Sequence, residues 1–182
     1  GASPGERVLD ACAGRGGKTG LIAAAMADRG RVDCADRDPR KLRSLASEMQ
    51  RLGIHAARPV AVDLAVGAAG LDPPYDRILL DAPCTGLGTL RRRPEIRWRL
   101  DPQDPAKLAE TQRLLFARTA DLLAPGGRLV YAVCSLAPDE GPLVVDRTLA
   151  ESSALREISR RWLLPSAGGS DGFFVCTFTR AA

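Results

Sequence analysis

The sequence has one histidine, three lysines and eight aromatic residues among its 182 positions. A single histidine excludes metal sites and proton relays that need two or more imidazoles. None of the five cysteines has the C-x₂₋₄-C spacing of a zinc site, and an odd number of cysteines argues against a closed set of disulfides. We therefore expect no metal, reduced thiols and a cytoplasmic location.

Long apolar runs are also missing. No stretch approaches the roughly 18 to 20 apolar residues of a membrane helix, and the chain does not start with a signal peptide. Apolar residues make up 45% and charged residues 26%, which is typical of a soluble globular protein. We expect one domain spanning residues 1–182, a monomer, and no membrane partner.

Arginine, in contrast, is abundant: 23 residues contribute to a formal net charge of +4. The guanidinium fork suits phosphates and stacked bases, but an arginine- and alanine-rich proteome gives the same bias. The overall count therefore leaves a nucleic-acid partner open, and only local clustering of arginine can favour one.

Short apolar segments alternate with helical segments along most of the chain. Strands are predicted at 7–12, 31–36, 57–62, 76–81 and 128–133, with weaker candidates at 155–159 and 173–179. Helices are predicted from the glycine-rich turn to about 29, at 39–52, from about 104 to 123 and at 138–150, with a long loop at 82–104. This order predicts an α/β fold whose open sheet is mostly parallel, with helices on both faces and an antiparallel last strand.

Ligands bind beyond the carboxyl ends of the strands in such sheets, and the first strand is followed by D-A-C-A-G-R-G-G-K-T (10–19). A phosphate-binding P-loop requires glycine where Cys12 stands, so a nucleotide hydrolase is disfavoured. A dinucleotide fingerprint requires glycine or alanine where Thr19 stands. The remaining interpretation is the looser glycine turn of an S-adenosylmethionine-dependent methyltransferase.

Two aspartates at neighbouring strand ends favour that third interpretation. Asp36 ends the second strand about 20 residues after the glycines, where a carboxylate can accept both ribose hydroxyls. Asp63 follows the third strand and can reach an adenine amino group. Either residue alone is more typical of a turn, whereas three features at three adjacent strand ends together indicate a cofactor site.

The fourth and fifth strands are followed by D-A-P-C-T-G and V-C-S, which place Asp81, Cys84 and Cys134 at the same edge. C5 of cytosine is too weak a nucleophile to attack a methylsulfonium unless a thiolate adds to C6 and an acid protonates N3. One thiol, one carboxylate and a second group for release are the parts required. The motif at 72–75 (D-P-P-Y), by which amino-methyltransferases hold a nitrogen, precedes its strand and is interpreted as a turn.

The other three cysteines, Cys12, Cys34 and Cys176, are expected to be small core residues. The segment 91–99 follows the Asp81 motif directly and holds five arginines against one glutamate. We expect it to contact RNA phosphates through Arg91, Arg92, Arg93, Arg97 and Arg99. Trp98 in this segment either stacks on a base or packs under the loop, and packing is the favoured interpretation.

Taken together, four motifs resemble the Sun-type (bacterial Fmu or RsmB-like) RNA cytosine-5 methyltransferases. They are D-A-C-A-G-R-G-G-K-T, D-A-P-C-T-G-L-G-T-L-R-R-R-P-E-I-R-W, Y-A-V-C-S-L-A-P-D-E and the terminal D-G-F-F-V. The resemblance covers nearly the whole chain and implies a Rossmann-like class I methyltransferase fold. It also implies an S-adenosylmethionine cofactor and a structured RNA substrate, most often small-subunit ribosomal RNA, with tRNA as an alternative.

The resemblance also implies roles for individual residues. Cys134 is expected to attack C6, Cys84 to help release the product, Asp81 to contact N3 and the methionine end of the cofactor, and Lys18 to lie near the reacting centre. The residues expected to hold the cofactor are Cys12, Ala13, Gly14, Arg15, Gly16, Gly17, Lys18, Asp36, Asp63 and Asp81.

Two departures from the family pattern matter. The family usually has Ala-Pro where this chain has Gly14-Arg15, so Arg15 either pairs with the methionine carboxylate or obstructs the pocket. Family members carry an N-terminal RNA-binding region ahead of the first strand, and here only six residues precede it. We therefore expect an isolated catalytic domain with weak cofactor affinity and little activity alone. The alternative is an inactive RNA-binding remnant of the same fold.

Overall fold

Seven strands and four α-helices make up most of the computed structural model, which describes residues 1–166 and 169–181. The strands are β1 (Arg7–Asp10), β2 (Arg31–Asp36), β3 (Ala57–Ala61), β4 (Tyr75–Asp81), β5 (Leu123–Val133), β6 (Leu155–Leu163) and β7 (Phe173–Arg180). The helices are α1 (Gly17–Ala25), α2 (Pro39–Arg51), α3 (Asp104–Asp121) and α4 (Pro142–Glu151).

All seven strands belong to one sheet in the order β3-β2-β1-β4-β5-β7-β6. Strands β1 to β5 are mutually parallel, and β7 runs antiparallel to both of its neighbours, β5 and β6. This confirms the predicted mostly parallel α/β sheet with an antiparallel last strand. The strand order reverses between β1 and β4, which is where open sheets of this kind bind ligands.

Alternate residues of the central strands face two separate cores. Val8 of β1 packs with α1 and α2, whereas its neighbour Leu9 packs with α3 and α4 on the opposite face. The first core is small and contains Met26, Leu45 and Met49. The second core is larger and includes the buried aromatic rings of Tyr75, Phe116, Tyr131, Phe174 and Phe178. Helices therefore cover both faces, as the alternation of elements predicts.

Local sequence explains how α1 and α2 begin and how they meet. Asp38 caps α2, because its carboxylate accepts a hydrogen bond from the Arg40 backbone N–H at 2.9 Å. Gly16 precedes α1 with φ +91°, and a Cβ there would stand 2.8 Å from Cγ of Leu45. Glycine is therefore required for the turn and for the close contact between α1 and α2.

Several boundaries differ from the sequence-based expectations. Helix α1 ends at Ala25 rather than near residue 29, because Ala27 and Asp28 have positive φ. Strand β5 begins five residues before residue 128, since a shift of register opposite β4 accommodates the intervening P-G-G. The predicted helix from residue 138 divides into the 3₁₀ turn Pro138–Glu140 and α4.

The long loop after β4 is also more ordered than expected, because it contains the 3₁₀ helices Leu87–Thr89 and Pro94–Trp98. Strand β6 continues to Leu163, four residues beyond the predicted end. The D-P-P-Y segment leads into β4, which begins at its Tyr75, and Asp72 pairs with Arg7 and Arg31. Within the described residues, no helix combines the length and the apolarity needed to span a membrane.

Candidate active site

A cleft of about 370 Å³ opens at the carboxyl ends of β1 to β5. Its walls come from the loops that follow these five strands, together with α3 and the 3₁₀ helix Pro94–Trp98. Of the residues predicted to act in catalysis or cofactor binding, the lining includes Cys12, Gly14, Asp36, Asp63, Asp81, Cys84 and Cys134. The topology thus brings together side chains from five separate segments of the sequence.

The two thiols at the strand ends lie next to each other. Sγ of Cys84 and Sγ of Cys134 are 3.3 Å apart, because their strands β4 and β5 are paired neighbours. The hydrogen bond between them lowers the pKa of Cys134 and raises the pKa of Cys84. The pair therefore favours a Cys134 thiolate beside a protonated Cys84, which is the arrangement that makes one thiol nucleophilic.

A lysine–aspartate ion pair stands beside the thiols. Lys18, in the first turn of α1, places Nζ 2.5 Å from Oδ2 of Asp81 at the end of β4. Both side chains remain partly exposed, so a substrate can reach them. The charge of Asp81 raises the pKa of Cys134 and that of Lys18 lowers it, smaller effects than the hydrogen bond from Cys84. A proton donor and a carboxylate are thus available next to the candidate nucleophile.

Two aspartates, Asp36 and Asp63, line the other half of the cleft. Asp36, nearly buried, accepts hydrogen bonds from the backbone N–H groups of Gly14 at 3.0 Å and Asp38 at 2.8 Å. Asp63 accepts from the backbone N–H of Ala65 at 3.0 Å. A carboxylate has about four acceptor positions, so both aspartates can still receive ligand hydroxyl or amino groups.

The remaining residues of the glycine-rich turn take different positions. Ala13 is buried, and its backbone N–H donates a hydrogen bond to the carbonyl of Ala35, so it anchors the turn to β2. Arg15 is exposed and, together with Gly16 and Gly17, lines a groove between α1 and α2 instead of the cleft. The structure thus brings only part of the predicted cofactor segment to the cleft.

The five cysteines divide as the sequence suggests, with one exception. Cys34 and Cys176 are fully buried core residues. Cys12 was expected to be a core residue as well as part of the cofactor segment, and it is partly buried in the wall of the cleft. Burial, with the charge of Asp36 adding to it, raises the pKa of Cys12 to about 12, so this thiol stays protonated.

The arginine segment is only partly available for binding. Arg91 donates to the carbonyl of Gly169 and Arg92 pairs with Asp171, so both hold the loop before β7. Arg93 lines the cleft, and Arg97 and Arg99 are exposed beside it.

The prediction that Trp98 packs under the loop is wrong, since its side chain is 86% exposed. Ile96 occupies the buried position of this 3₁₀ helix, and the helix carries Trp98 to the outside. The tryptophan ring is therefore available for contact with a base.

One residue at the site was not predicted from the sequence. Glu140 is fully buried, and its carboxylate accepts hydrogen bonds from Thr85 and Ser135, the residues that follow the two thiols. It lies six positions after Cys134 in the Y-A-V-C-S-L-A-P-D-E motif, and acidic residues before a helix are usually exposed. Its place inside a recognised motif is the one signal that points to it.

Comparison with known proteins agrees with this geometry. The family model described as 16S rRNA methyltransferase RsmB/F matches residues 2–179. The chain is 36% identical over 197 residues to the probable ribosomal RNA small subunit methyltransferase B of Synechocystis sp., covering 98% of this chain and 44% of that protein. It is 36% identical over 194 residues to ribosomal RNA small subunit methyltransferase B of Thermus thermophilus, covering 98% and 46%.

Solved structures show the same fold. NSun6 from Pyrococcus horikoshii with SFG superposes with a TM-score of 0.87 at 25% identity, covering 97% of this chain and 48% of that one. A methyltransferase homolog protein from the same organism gives 0.84 at 28% identity, covering 100% and 63%. The chain spans less than half the length of the curated relatives named above. The family model and these relatives show that the chain belongs to the RsmB/F family of 16S rRNA methyltransferases.

Proposed function

We propose that this chain transfers a methyl group from S-adenosylmethionine to C5 of a cytosine in RNA. The observation that carries the proposal is the 3.3 Å approach of the Cys84 and Cys134 sulfurs beside the Lys18–Asp81 ion pair. Two adjacent thiols with unequal pKa values and a carboxylate are the groups that covalent activation of a pyrimidine requires. Family membership supports the same chemistry.

The cleft fits the proposed cofactor in size and in the placement of polar groups. Its volume of about 370 Å³ lies within the range of small-molecule sites. Asp36 and Asp63 offer acceptors at the ends of β2 and β3, and Gly14, with φ +57°, lets the backbone approach a ligand closely. S-adenosylmethionine supplies an electrophilic methyl group when it is bound.

The residues of the chain then activate the cytosine. The Cys134 thiolate adds to C6 and forms an S–C6 bond, while a proton from the Lys18 ammonium reaches N3 through the Asp81 carboxylate and C5 gains the electron density. Nζ of Lys18, which donates a hydrogen bond to Asp81 at 2.5 Å, is the source of that proton. After C5 is methylated, the Lys18–Asp81 pair takes back the N3 proton and a water molecule takes the C5 proton. The electrons of the C5–H bond form the C5=C6 double bond as the S–C6 bond breaks, which returns the thiolate to Cys134. Cys84 assists this release.

Exposed basic and aromatic groups beside the cleft form the proposed RNA surface. Arg93, Arg97 and Arg99 can contact phosphates, and the exposed Trp98 can stack on a base. The target cytosine must leave its stack to reach the partly buried thiols. We propose small-subunit ribosomal RNA rather than tRNA as the substrate, on the basis of the names of the curated relatives.

Transfer of an isotopically labelled methyl group tests this proposal. The chain is incubated with labelled S-adenosylmethionine and either small-subunit ribosomal RNA or tRNA, and the nucleosides are identified by mass spectrometry. Label in 5-methylcytidine from the ribosomal RNA, lost in Cys134→Ala, supports the proposal. Label in another nucleoside contradicts the C5 chemistry, and label only in tRNA contradicts the substrate. Binding of both RNA and S-adenosylmethionine without any transfer indicates the inactive remnant.

A further inference from the structure

A buried carboxylate ties together the two loops that carry the thiols. The Oε2 atom of Glu140 lies 2.5 Å from the hydroxyls of both Thr85 and Ser135, which donate to it. Its Oε1 atom accepts from the Thr85 backbone N–H at 2.8 Å. Since Thr85 follows Cys84 and Ser135 follows Cys134, one side chain links the backbone next to each sulfur.

Helix α3 and strand β5 hold Glu140 itself in place. Gln112, fully buried on α3, donates from Nε2 to Oε1 of Glu140 at 3.0 Å and lies 2.9 Å from the carbonyl of Pro83. The hydroxyl of Tyr131 donates to the main-chain carbonyl of Glu140 at 2.6 Å. Both the side chain and the backbone of Glu140 are therefore fixed, so it can serve as a rigid reference for the loops.

No arginine or lysine among residues 1–166 and 169–181 forms an ion pair with Glu140. Burying a carboxylate without a cation is costly unless hydrogen bonds compensate for lost solvation. Only a carboxylate offers enough acceptor positions to receive two hydroxyl and two amide donors at once. The burial of Glu140 is thus explained by the hydrogen bonds that its carboxylate accepts, most of which come from the two loops that carry the thiols.

We propose that Glu140 is a positioning residue that fixes the distance between the sulfurs of Cys84 and Cys134. It lies behind the thiols and touches no reacting atom. Its importance for methyl transfer rests on the proposed two-thiol reaction, whereas its effect on the geometry of the thiols does not depend on any substrate.

The reactivity of Cys134 tests this role without RNA. The rate of alkylation by iodoacetamide is measured against pH and resolved by peptide mass spectrometry, in wild type, Glu140→Ala and Glu140→Gln. The charged and titratable groups that interact with Cys134 are Cys84, Asp81, Lys18 and Arg92, and Glu140 interacts with its partner Cys84. If Glu140 acted only through its charge, its loss would lower the pKa of Cys134. If it holds the two sulfurs in place, its loss lengthens the Cys84–Cys134 hydrogen bond and raises that pKa. The electrostatic and the positioning explanations therefore predict shifts of opposite sign.

We expect Glu140→Ala to raise the pH midpoint of Cys134 alkylation by about one pH unit, which is a tenfold loss of thiolate below the midpoint. Glu140→Gln can donate to the hydroxyls and accept from the amides, so it restores the wild-type midpoint or lowers it. In methyl transfer, Glu140→Ala lowers kcat and leaves KM for RNA unchanged.

Ser135→Ala is the milder variant, which decides the question if Glu140→Ala does not fold. It removes the bond to one loop only, and we expect a smaller rise in the midpoint. Asp33→Ala is the matched control, because it removes another fully buried carboxylate outside the cleft and leaves the midpoint unchanged. A midpoint that stays or falls in both Glu140→Ala and Ser135→Ala overturns the positioning role. A raised midpoint in an enzyme that methylates no cytosine supports it and rejects the proposed function instead.

Discussion

Two fully buried carboxylates, Asp33 of β2 and Glu140 of the 3₁₀ turn before α4, are satisfied in opposite ways. Asp33 of β2 accepts from the guanidinium groups of Arg31 and Arg58 and from the hydroxyl of Tyr75. Glu140 receives hydroxyl and amide donors and, within the described part of the chain, no cation. Burial raises the pKa of Asp33, but its three partners outweigh burial and lower it to about 2.

The difference separates stability from function. The charge-paired network of Asp33 joins β2, β3 and the start of β4 away from the cleft, so its loss affects folding. The network of Glu140 joins the loops after β4 and β5, where the thiols lie, so we expect its loss to affect methyl transfer. The carboxyl edge of the sheet is therefore the functional edge, as expected for open parallel sheets.

The largest expected effect tests this separation with two cysteines. Cys134→Ala removes the proposed nucleophile at the carboxyl edge, and we expect the rate of methyl transfer to fall at least about a thousandfold. Cys176→Ala, in the core strand β7, is the control and retains the rate at temperatures where the protein is folded. Methyl transfer assays on both variants check this, and equal rates would place the chemistry elsewhere.

The second-largest effect is the loss of protein stability when the Asp33 network is removed. Asp33→Ala leaves two half-exposed guanidinium groups and a buried phenol without their acceptor, and we expect the free energy of unfolding to fall by about 2–3 kcal/mol. Urea denaturation at pH 7 measures it. Tyr75→Phe removes one bond to Asp33 and costs about 1 kcal/mol. We expect the rate of methyl transfer by folded Asp33→Ala to stay at the wild-type level. A large loss of rate would contradict the assignment of the Asp33 network to folding rather than to methyl transfer.

A third carboxylate, Asp10, gives a pH dependence of opposite sign to that of Asp33. Burial raises the pKa of Asp10 to about 6, although Thr19 donates a hydrogen bond to it at 2.8 Å. The contribution of Asp10 to the free energy of unfolding is fully present below about pH 4 and is lost as the pH rises through about 6. The contribution of Asp33 is present above about pH 4 and is lost as the pH falls through about 2.

Asp10→Asn keeps the bond to Thr19 and cannot ionise. We therefore expect it to gain about 1–2 kcal/mol of unfolding free energy relative to wild type between pH 5 and pH 8. Denaturation curves at several pH values check this. A constant difference between the two proteins across that range would show that the pKa of Asp10 is not raised in the folded state.

The smallest effect concerns RNA affinity. Arg97→Ala and Arg99→Ala each remove one proposed phosphate contact, so we expect binding to weaken and the slope of log affinity against log salt to fall by about 0.7–0.9 per residue. Filter binding at several salt concentrations measures this. Arg51→Ala on α2 is the control, since Arg51 is exposed and pairs with Glu48. An equal slope for all three variants would place the RNA surface elsewhere.

Features set by local sequence were predictable. The alternation of apolar segments, with glycine and proline between them, predicted the order of strands and helices. The rule that ligands bind at strand ends then singled out Asp36, Asp81, Cys84 and Cys134, and the fold brings these residues to one cleft. Reversal of the strand order between β1 and β4 is what makes this possible.

Features set by contacts between distant segments were not predictable. The burial of Glu140 depends on Gln112 of α3 and on two loops that are 50 residues apart in sequence. The outward position of Arg15 depends on how α1 packs against α2, and the exposure of Trp98 depends on Ile96 taking the buried position. Sequence spacing alone carries no information about which side of a turn faces a cleft.

The most direct test of the account is a covalent complex between the chain and RNA. In Cys84→Ala the adduct through Cys134 should form but release slowly, so incubation with S-adenosylmethionine and small-subunit ribosomal RNA should give a slowly migrating species in denaturing gels. The double variant Cys84→Ala/Cys134→Ala should give none. A species that persists in the double variant, or its absence in a Cys84→Ala protein that binds both RNA and S-adenosylmethionine, would contradict the two-thiol mechanism.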